Sequence, residues 1–317
     1  MTPELSVIVP TYNRSAVLAR CIDALCRQTC DKAVFEIIVS DDGSQDDTAA
    51  VVEALAQRQP VAIRYLHQPN AGANRARNRA IGMARGRLLL LINDDTIAVP
   101  GMVAEHLAEH ARHPQTHVAV LGRMTVSPEI AVSRLAPLHL DRAFVGLRDG
   151  AVLDWRAFFT CNVSVKKALL ERGGLFEERM RYHEDLELAW RLSAHGLQVV
   201  YRASALGWHH HFLDEDEFLS IAAREALSLH TWAQLAPAAR PMLASLGYEP
   251  AARGARRWRR RLLAIAVNRR TEAPWRWLAR SLPPRPAPFR QMSLAIYDQL
   301  YQSRKRAALR RLQHRDT

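Results

Sequence analysis

The chain has 317 residues, 48% hydrophobic and 24% charged, which suffices for about two globular domains and excludes a disordered tail. No apolar run approaches the roughly 20 residues that cross a bilayer, and the beginning of the chain lacks a signal-peptide pattern. Its four cysteines are too few for a disulfide scaffold, so we expect a reducing, cytoplasmic compartment.

The net charge of +12 is unevenly distributed along the chain. Residues 253–317 contain 18 Lys and Arg against three acids, whereas the preceding residues are slightly acidic. Such an asymmetry indicates an anionic partner for the basic end. We expect a globular domain over residues 1–215 and a helical, Arg-rich region over residues 216–317.

The first 110 residues alternate between apolar, β-branched runs and amphipathic helical patterns. Buried strands are predicted at residues 5–10, 36–40, 63–66 and 88–92. Apolar residues at helical spacing follow each strand, and Pro100 opens the last of these helices. The alternation predicts an α/β fold with a mostly parallel central sheet and helices on both faces.

Polar residues follow three of the four predicted strands. They are Thr11 and Asn13, then Asp41 and Asp42, and finally Asn93, Asp94 and Asp95. Ligands of parallel sheets bind beyond the carboxyl ends of the strands, so these residues are candidates for a binding site. Each cluster alone could also be a turn or a helix cap. Neither a G-x-G-x-x-G nor a P-loop motif is present, which argues against nicotinamide and P-loop nucleotide sites.

Six motifs follow one another along the chain: PTYNR (10–14), VSDDGSQDDT (39–48), NAGANRARNRAI (70–81), LLINDDT (90–96), TCNVSVKKALLERGGLFEE (160–178) and HEDLELAWRLSAHG (183–196). In this order and spacing they resemble the family 2 glycosyltransferases of the Rossmann-like GT-A fold. The resemblance implies a nucleotide-binding half (1–96) and an acceptor half (97–215). It also implies transfer of a sugar from a nucleotide-diphosphate sugar to a hydroxyl of a glycan, lipid-linked or protein acceptor, as in cell-envelope glycan synthesis.

The resemblance assigns most of the strand-end residues to the donor. The implied nucleotide-sugar-binding residues are Pro10, Thr11, Tyr12, Asn13, Asp41, Asp42, Arg77, Asn93 and Asp94. Asp41 is expected near a pyrimidine ring. Arg77 is expected either to pair with the diphosphate or to brace Asp94.

Asn93-Asp94-Asp95 occupies the position of the family's Asp-X-Asp motif. By resemblance, Asp95 binds the divalent cation, Mn²⁺ or Mg²⁺, and Asp94 lies close to the ribose and the metal. Asn93 replaces the first aspartate, which removes one negative charge but keeps a side chain that can bind a ribose hydroxyl. A turn or helix cap is the alternative explanation.

Three consecutive histidines, residues 209–211, are a second metal candidate because imidazole is a common ligand of transition metals. In an extended segment His209 and His211 share one face and His210 points away. The resemblance favours His209 first and His211 second. Ordinary surface histidines are an equal alternative.

An acceptor hydroxyl must lose its proton as it attacks, and a nearby carboxylate can take it. By resemblance, Asp185 is this general base and Glu184 orients the site. The helix dipole alone also favours acids in a first helical turn. The implied acceptor-side residues are Thr160, Cys161, Asn162 and Trp208. One base and one metal suit inversion, because retention requires a second carboxylate as nucleophile.

The basic end combines Arg and Trp on amphipathic patterns, with five arginines around Trp258 and a last helix predicted at 291–313. Four prolines from Pro283 to Pro288 are expected to form a stiff break before it. This composition favours attachment of residues 253–317 to an anionic membrane surface, peripherally on its cytoplasmic face. A helical cap or a homodimer contact is the main alternative, and no RNA-binding motif supports nucleic acid.

Two other functions remain open at this point. A nucleotidyltransferase that makes nucleotide sugars uses a related sheet, but the PTYNR segment lacks its Gly-rich phosphate loop. A catalytically weak glycosyltransferase-like scaffold would explain Asn93. Residues 131–154 match no pattern that identifies the sugar or the acceptor.

Overall fold

A computed structural model describes residues 2–248, 266–268 and 271–314 of the chain. The strands among these residues are β1 (Leu5–Thr11), β2 (Phe35–Asp41), β3 (Ala62–His67), β4 (Leu88–Ile92), β5 (Thr96–Ala98), β6 (Val118–Val126), β7 (Val152–Leu153), β8 (Asn162–Lys166) and β9 (Gln198–His209). The helices are α1 (Ser15–Cys26), α2 (Thr48–Arg58), α3 (Ala73–Met83), α4 (Met102–Arg112), α5 (Leu140–Phe144), α6 (Lys167–Gly173), α7 (Glu184–Ser193), α8 (Glu215–Leu235), α9 (Arg240–Leu243), α10 (Glu272–Ser281) and α11 (Ala287–Gln313).

All of these strands belong to one sheet, ordered β3-β2-β1-β4-β8-β6-β9-β5, with β7 paired to β9. The run from β3 to β4 is parallel, as is the pair β6 and β9. β8 runs antiparallel to both β4 and β6, and β5 and β7 run antiparallel to β9. The predicted α/β fold class is confirmed, and each of the four predicted strands falls on one of β1 to β4.

Residue alternation along the strands explains why helices cover both faces. Val7 and Val9 point into one apolar cluster, which includes residues of α1, α2 and α4. Ile8 points into a second cluster, which includes residues of α3, α6 and α7. Because successive side chains of a strand face opposite sides, an unbroken apolar run produces two cores at once. The prediction of helices on both faces is therefore confirmed.

The chain divides into two compact units. The first, here called the sheet unit, comprises Met1–Ala131, Leu140–Glu178 and Glu184–Phe212. The second, here called the helical unit, comprises Val132–His139, Arg179–His183 and Leu213–Thr317.

The helical unit has its own core, formed by apolar residues of α8, α10 and α11. Tyr297 is buried in it, and the ring of Phe218 lies 5.1 Å from that of Tyr301. α11 begins at Ala287, four residues earlier than predicted. Pro288 therefore lies in the first helical turn rather than in a break, where its missing N–H leaves no hydrogen bond unmade.

The arginines around Trp258 lie outside the described residues. Across residues 2–248, 266–268 and 271–314, no helix combines the length and the hydropathy that crossing a bilayer requires.

Candidate active site

The carboxyl ends of β1 and β4 bring the first and third polar clusters together. The two strands pair directly in parallel, so residues 93–95 emerge beside the end of β1. Thr11 Oγ1 donates a hydrogen bond of 2.8 Å to Asp94 Oδ2, although 83 residues separate them. Pro10 is buried in β1, whereas Tyr12 is 46% exposed and presents its ring to solvent.

Arg14 bridges the two neighbouring aspartates. Its Nη1 lies 2.7 Å from Asp94 Oδ1 and its Nη2 lies 3.0 Å from Asp95 Oδ2. Both aspartates are buried, at 4% and 5% exposure. Burial raises the pKa of Asp94 to about 6, the guanidinium of Arg14 opposes this change, and the charge of Asp95 adds to it. Arg14 belongs to the PTYNR motif, which by itself predicted no role for it. Its position in the turn after the first strand is the signal that could have identified it.

Asp95 retains an oxygen without a partner. Its Oδ1 is buried and accepts no hydrogen bond from any described residue. Its Oδ2 lies 3.5 Å from His209 Nε2. An unpaired buried carboxylate oxygen is costly, so one in a strand-end site calls for an explanation such as an ion. A carboxylate and an imidazole are both ligands that Mn²⁺ accepts.

His209 and His211 lie near each other at the end of β9, and His210 has different partners. The rings of His209 and His211 are 5.7 Å apart, centroid to centroid. His210 Nδ1 instead lies 3.1 Å from Ser127 Oγ, and the His210 backbone N–H donates to the Asp95 carbonyl at 2.8 Å. In the described part of the chain, no three His, Cys, Asp or Glu side chains form a ready-made metal cluster. Few protein ligands can suffice for Mg²⁺, which commonly takes its other ligands from phosphate and water.

Arg77 connects the end of β4 to the start of α7. Its Nη2 lies 3.3 Å from Asn93 Oδ1, and its Nη1 lies 3.1 Å from Glu184 Oε1 and 2.9 Å from Asn74 Oδ1. The guanidinium is 5.7 Å from the Phe176 ring centroid and the residue is only 7% exposed. Arg77 therefore braces Asn93 and Glu184, in addition to acting on Asp94 through its charge.

Asp185 lies in the first turn of α7, where its Oδ1 accepts a hydrogen bond of 2.8 Å from the Leu186 N–H. The Cys161 thiol is affected by both carboxylates. Burial and the charges of Asp185 and Asp95 raise its pKa to about 12. One thiol thus lies within electrostatic range of both carboxylates. Thr96 Oγ1 fixes the same segment by donating to the Cys161 carbonyl at 3.3 Å.

Asp42 organises the loop that follows β3. Its Oδ1 accepts hydrogen bonds from Gln68 Nε2 at 2.8 Å and the Ala71 N–H at 2.9 Å. Its Oδ2 accepts from the Gly72 N–H at 2.7 Å. Asp42 is therefore committed to shaping the loop that leads into α3.

Asp41 and Asn13 shape the neighbouring loop after β2. Asp41 accepts from the Ser44 N–H at 2.8 Å and from the Tyr65 hydroxyl. Asn13 has a left-handed backbone, with φ of 52°, and its Oδ1 accepts from the Gln45 N–H at 2.7 Å. Asparagine tolerates this conformation better than most residues.

Asn162 belongs to the core of the sheet unit. It is fully buried, and its Nδ2 donates to the carbonyls of Arg123 at 3.1 Å and Ala205 at 2.8 Å. Its Oδ1 lies 3.0 Å from His106 Nε2, and His106 Nδ1 lies 2.8 Å from Ser164 Oγ. All polar atoms of this side chain have protein partners, and its acceptor-side role stays a prediction.

The remaining acceptor-side residues are also largely covered. Thr160 is 5% exposed, and Trp208 is partly buried against the apolar cluster that contains α1. Trp208 pairs with Ile97 of β5 and with Thr125 of β6. Its indole therefore contributes to core packing beside the histidine segment.

Glu225 in the helical unit is a buried acid that was not predicted from the sequence. Its Oε1 lies 2.8 Å from His183 Nε2 and 2.9 Å from Lys305 Nζ, and its Oε2 accepts from the Tyr301 hydroxyl at 2.6 Å. These partners lower its pKa to about 2 in spite of its burial. A glutamate three residues after Ala222 in the apolar stripe of α8 was the available signal.

Comparison with known proteins agrees with this geometry. The family model described as Glycosyl transferase family 2 matches residues 6–170, just over half of the chain. Validoxylamine A glucosyltransferase of Streptomyces hygroscopicus subsp. jinggangensis is 34% identical over 239 residues, with 65% of this chain and 55% of the relative covered. The uncharacterized glycosyltransferase YfnE of Bacillus subtilis is 28% identical over 254 residues, with 65% and 64% covered. The chain thus spans about half the length of the curated glucosyltransferases it matches.

Solved structures share the fold. The mannosyltransferase PcManGT from Pyrobaculum calidifontis, solved with GDP-Man and Mn²⁺, superposes with a TM-score of 0.62 at 20% identity, covering 96% of this chain and 86% of that one. S. aureus TarS 1-349 in complex with UDP gives a TM-score of 0.56 at 16% identity, covering 98% and 91%. With the extent of the family match and the GT-A fold both established, the chain belongs to glycosyl transferase family 2.

Proposed function

We propose that this protein transfers a sugar from a nucleoside-diphosphate sugar to a hydroxyl acceptor, with inversion at the anomeric carbon. The observation that carries the proposal is the buried Asp94–Asp95 pair at the carboxyl ends of β1 and β4, with one Asp95 oxygen left unpaired. Nucleotide ligands of α/β sheets bind at such strand ends. Family membership supports the reaction type.

The residues at this edge fit a divalent cation, Mn²⁺ or Mg²⁺. Asp95 would hold it through Oδ1 with His209 as a second protein ligand, and phosphate and water oxygens would complete the coordination, because His211 does not form a three-residue cluster with them. An ion held there would neutralise charge that develops on the departing diphosphate. Asp94 is oriented by Thr11 and Arg14 and would contact the ribose side of the donor.

A bound donor requires a surface for its nucleobase and a positive charge for its diphosphate. Tyr12 offers an exposed ring to the nucleobase, beside the loop that Asp41 and Asn13 shape. UDP and GDP are the first nucleotides to test, because structural neighbours bind UDP and GDP-Man. The acceptor would be a glycan, a lipid-linked sugar or a protein.

Asp185 would take the proton of the acceptor hydroxyl on a carboxylate oxygen as the hydroxyl attacks. Its Oδ1 is held by the Leu186 N–H, so the carboxylate has a fixed orientation. Glu184 is held by Arg77 and would keep the acceptor aligned. The influence of both Asp185 and Asp95 on Cys161 supports a shared location for base and metal ligand.

Incubation with a panel of nucleotide sugars and Mn²⁺ tests the proposal. We expect release of a nucleoside diphosphate that depends on Mn²⁺ and increases with acceptor. Consumption or release of pyrophosphate would instead favour a nucleotidyltransferase. Nucleotide binding without product release from any donor of the panel would favour a binding scaffold.

Asp185→Asn provides the sharpest mutational test of the base. Loss of a positioned general base slows turnover by about 10²- to 10⁴-fold. Donor affinity, measured by titration calorimetry, should stay within about twofold because the amide keeps the size of the carboxylate. Asp149→Asn, which removes an acid paired with Arg202, is the matched control. Normal turnover by Asp185→Asn would refute the assignment.

We further propose that the helical unit binds an anionic membrane surface peripherally. Apolar side chains are exposed on its basic helices: Trp277 is 69% exposed, Phe289 42% and Met292 44%. Exposed aromatic residues among arginines are typical of membrane-surface helices. Flotation with phosphatidylglycerol vesicles at low salt should succeed and Trp277→Ser should weaken it, whereas Val145→Ser, an exposed site in the sheet unit, should not. Failure to float would favour a homodimer contact or a solvated cap.

A further inference from the structure

A cation of the protein itself already lies across the two aspartates of the candidate metal site. Arg14 Nη1 is 2.7 Å from Asp94 Oδ1, and Arg14 Nη2 is 3.0 Å from Asp95 Oδ2. The arginine side chain is 35% exposed and each aspartate side chain 6%, so the guanidinium lies on the solvent side of the pair. Its planar fork matches two carboxylates at once, which a lysine cannot do.

The arrangement has a clear electrostatic cause. Two adjacent buried carboxylates repel each other, and burial disfavours the charge of each. Arg14 offsets part of this cost, because its guanidinium lies 2.7 Å from one carboxylate and 3.0 Å from the other. With both aspartates ionised, the group of three carries a net charge of −1, and the guanidinium is a counter-ion supplied by the protein.

We propose that Arg14 is a resident counter-ion that makes divalent-cation binding depend on the donor diphosphate. This inference rests on the proposed function. A metal ion that enters alone must approach Asp95 beside a fixed positive charge, which weakens its binding. A diphosphate brings at least two negative charges, supplies oxygen ligands to the metal and gives the guanidinium a new partner. Metal and donor therefore bind tightly only together.

Direct Mn²⁺ binding tests this coupling independently of catalysis. Free Mn²⁺ is measured by electron paramagnetic resonance during titration of the protein, alone and with saturating UDP or GDP, and protein-free Mn²⁺–nucleotide curves are subtracted. We expect the wild-type protein to bind Mn²⁺ about tenfold or more tightly with a nucleoside diphosphate than without one. Arg14→Met should bind Mn²⁺ alone about tenfold more tightly than wild type and lose most of the nucleotide dependence.

Two further variants separate charge from general disruption. Arg14→Lys keeps the charge but not the fork, so its Mn²⁺ affinity without nucleotide should lie between those of wild type and Arg14→Met. Arg27→Met removes an arginine next to the end of α1 that pairs with exposed Asp23, and it should change nothing.

Thermal unfolding gives a second readout. Without metal, Arg14→Met should melt at a lower temperature than wild type, because two buried carboxylates lose their counter-ion. Mn²⁺ without nucleotide should restore that loss, and a variant that folds only with Mn²⁺ would also support the inference. The role of Arg14 is overturned if Mn²⁺ does not restore the melting temperature of Arg14→Met, or if this variant binds Mn²⁺ no more tightly than wild type. Either result leaves the proposed function standing. Absence of Mn²⁺ binding to the wild-type protein with every nucleoside diphosphate overturns both this inference and the metal in the proposed function.

Discussion

The sheet unit and the helical unit each contain buried carboxylates, which differ in how many of their oxygens have a partner. Glu225 of the helical unit has both oxygens occupied by His183, Lys305 and Tyr301, which lower its pKa to about 2. Asp94 of the sheet unit has a pKa raised to about 6, and its neighbour Asp95 keeps an oxygen unpaired. A fully paired buried charge stabilises a fold, whereas an incompletely paired one is available for a ligand.

The largest effect on activity is expected at the incompletely paired site. Asp95→Asn removes the charge that would hold the metal, and turnover should fall about 10³-fold, in the range seen when one transition-state stabiliser is lost. The measurement is nucleoside-diphosphate release at saturating donor. The unfolding free energy should change little or increase, because repulsion between Asp94 and Asp95 is relieved. A large loss of stability instead would show that Asp95 is structural and break the contrast between the units.

The largest effect on stability is expected in the helical unit. Glu225→Ala leaves Lys305 buried without its carboxylate partner, and removal of one partner of a buried pair costs about 3–5 kcal/mol. Urea unfolding followed by circular dichroism measures this loss. Asp216→Asn, at an exposed ion pair with Arg276, is the control and should show no measurable change. Equal effects of the two substitutions would refute the distinction between buried and exposed pairs in this unit.

Acid should begin to destabilise the sheet unit at a higher pH than the helical unit. Burial lowers the pKa of His106 from 6.5 to about 4, so the folded sheet unit holds this ring neutral. Stability from His106 is complete above pH 6.5 and is lost as the pH falls towards 4, at a cost of about 3 kcal/mol. The pKa of Glu225 falls from 4.5 to about 2, so its stabilisation is complete above pH 4.5 and is lost as the pH falls towards 2.

Fluorescence and circular dichroism during acid titration can follow these two losses. Glu225→Gln should reduce the loss of stability between pH 4.5 and 2 and leave the step between pH 6.5 and 4 in place. Part of the loss below pH 4 should remain, because burial also lowers the pKa of His110 from 6.5 to about 2. A single transition near pH 4 that survives in this variant would contradict the assignment.

The smallest effect is expected at Asn93. Asn93→Asp restores the aspartate of the family motif, and Arg77 lies 3.3 Å from the side-chain oxygen that would carry the new charge. A single partly exposed charge pair contributes about 0.2–1 kcal/mol, so the Mn²⁺ concentration for half-maximal activity should fall by about threefold. Gln57→Glu, which adds the same charge at an exposed position of α2, is the control. An unchanged or higher Mn²⁺ requirement would show that Asn93 serves the sugar rather than the metal.

The sequence predicted the fold where strands are long and apolar throughout, as in β1, β2 and β4. It could not predict β5 and β7, which have three and two residues and exist because β9 pairs with them. Strand patterns also do not reveal that β8 runs antiparallel between β4 and β6. That choice depends on how distant segments pack, which local periodicity does not encode.

The same limit applies to the candidate site. Adjacent polar residues such as Asp94 and Asp95 can be recognised from strand ends alone. The bridge by Arg14 spans 80 residues of sequence, and the burial of Asn162 depends on the register of β8 between two strands. Such contacts arise only from tertiary structure, so residue type and spacing identify candidates and the folded chain decides which of them meet.

The loop that Asp42 holds has a consequence for how a donor is captured. With three donors from Gln68, Ala71 and Gly72 on one carboxylate, the backbone after β3 is tied to the backbone after β2. A nucleotide bound here, as in the proposed function, would meet peptide groups already in position, and little of its binding energy would be lost to ordering them.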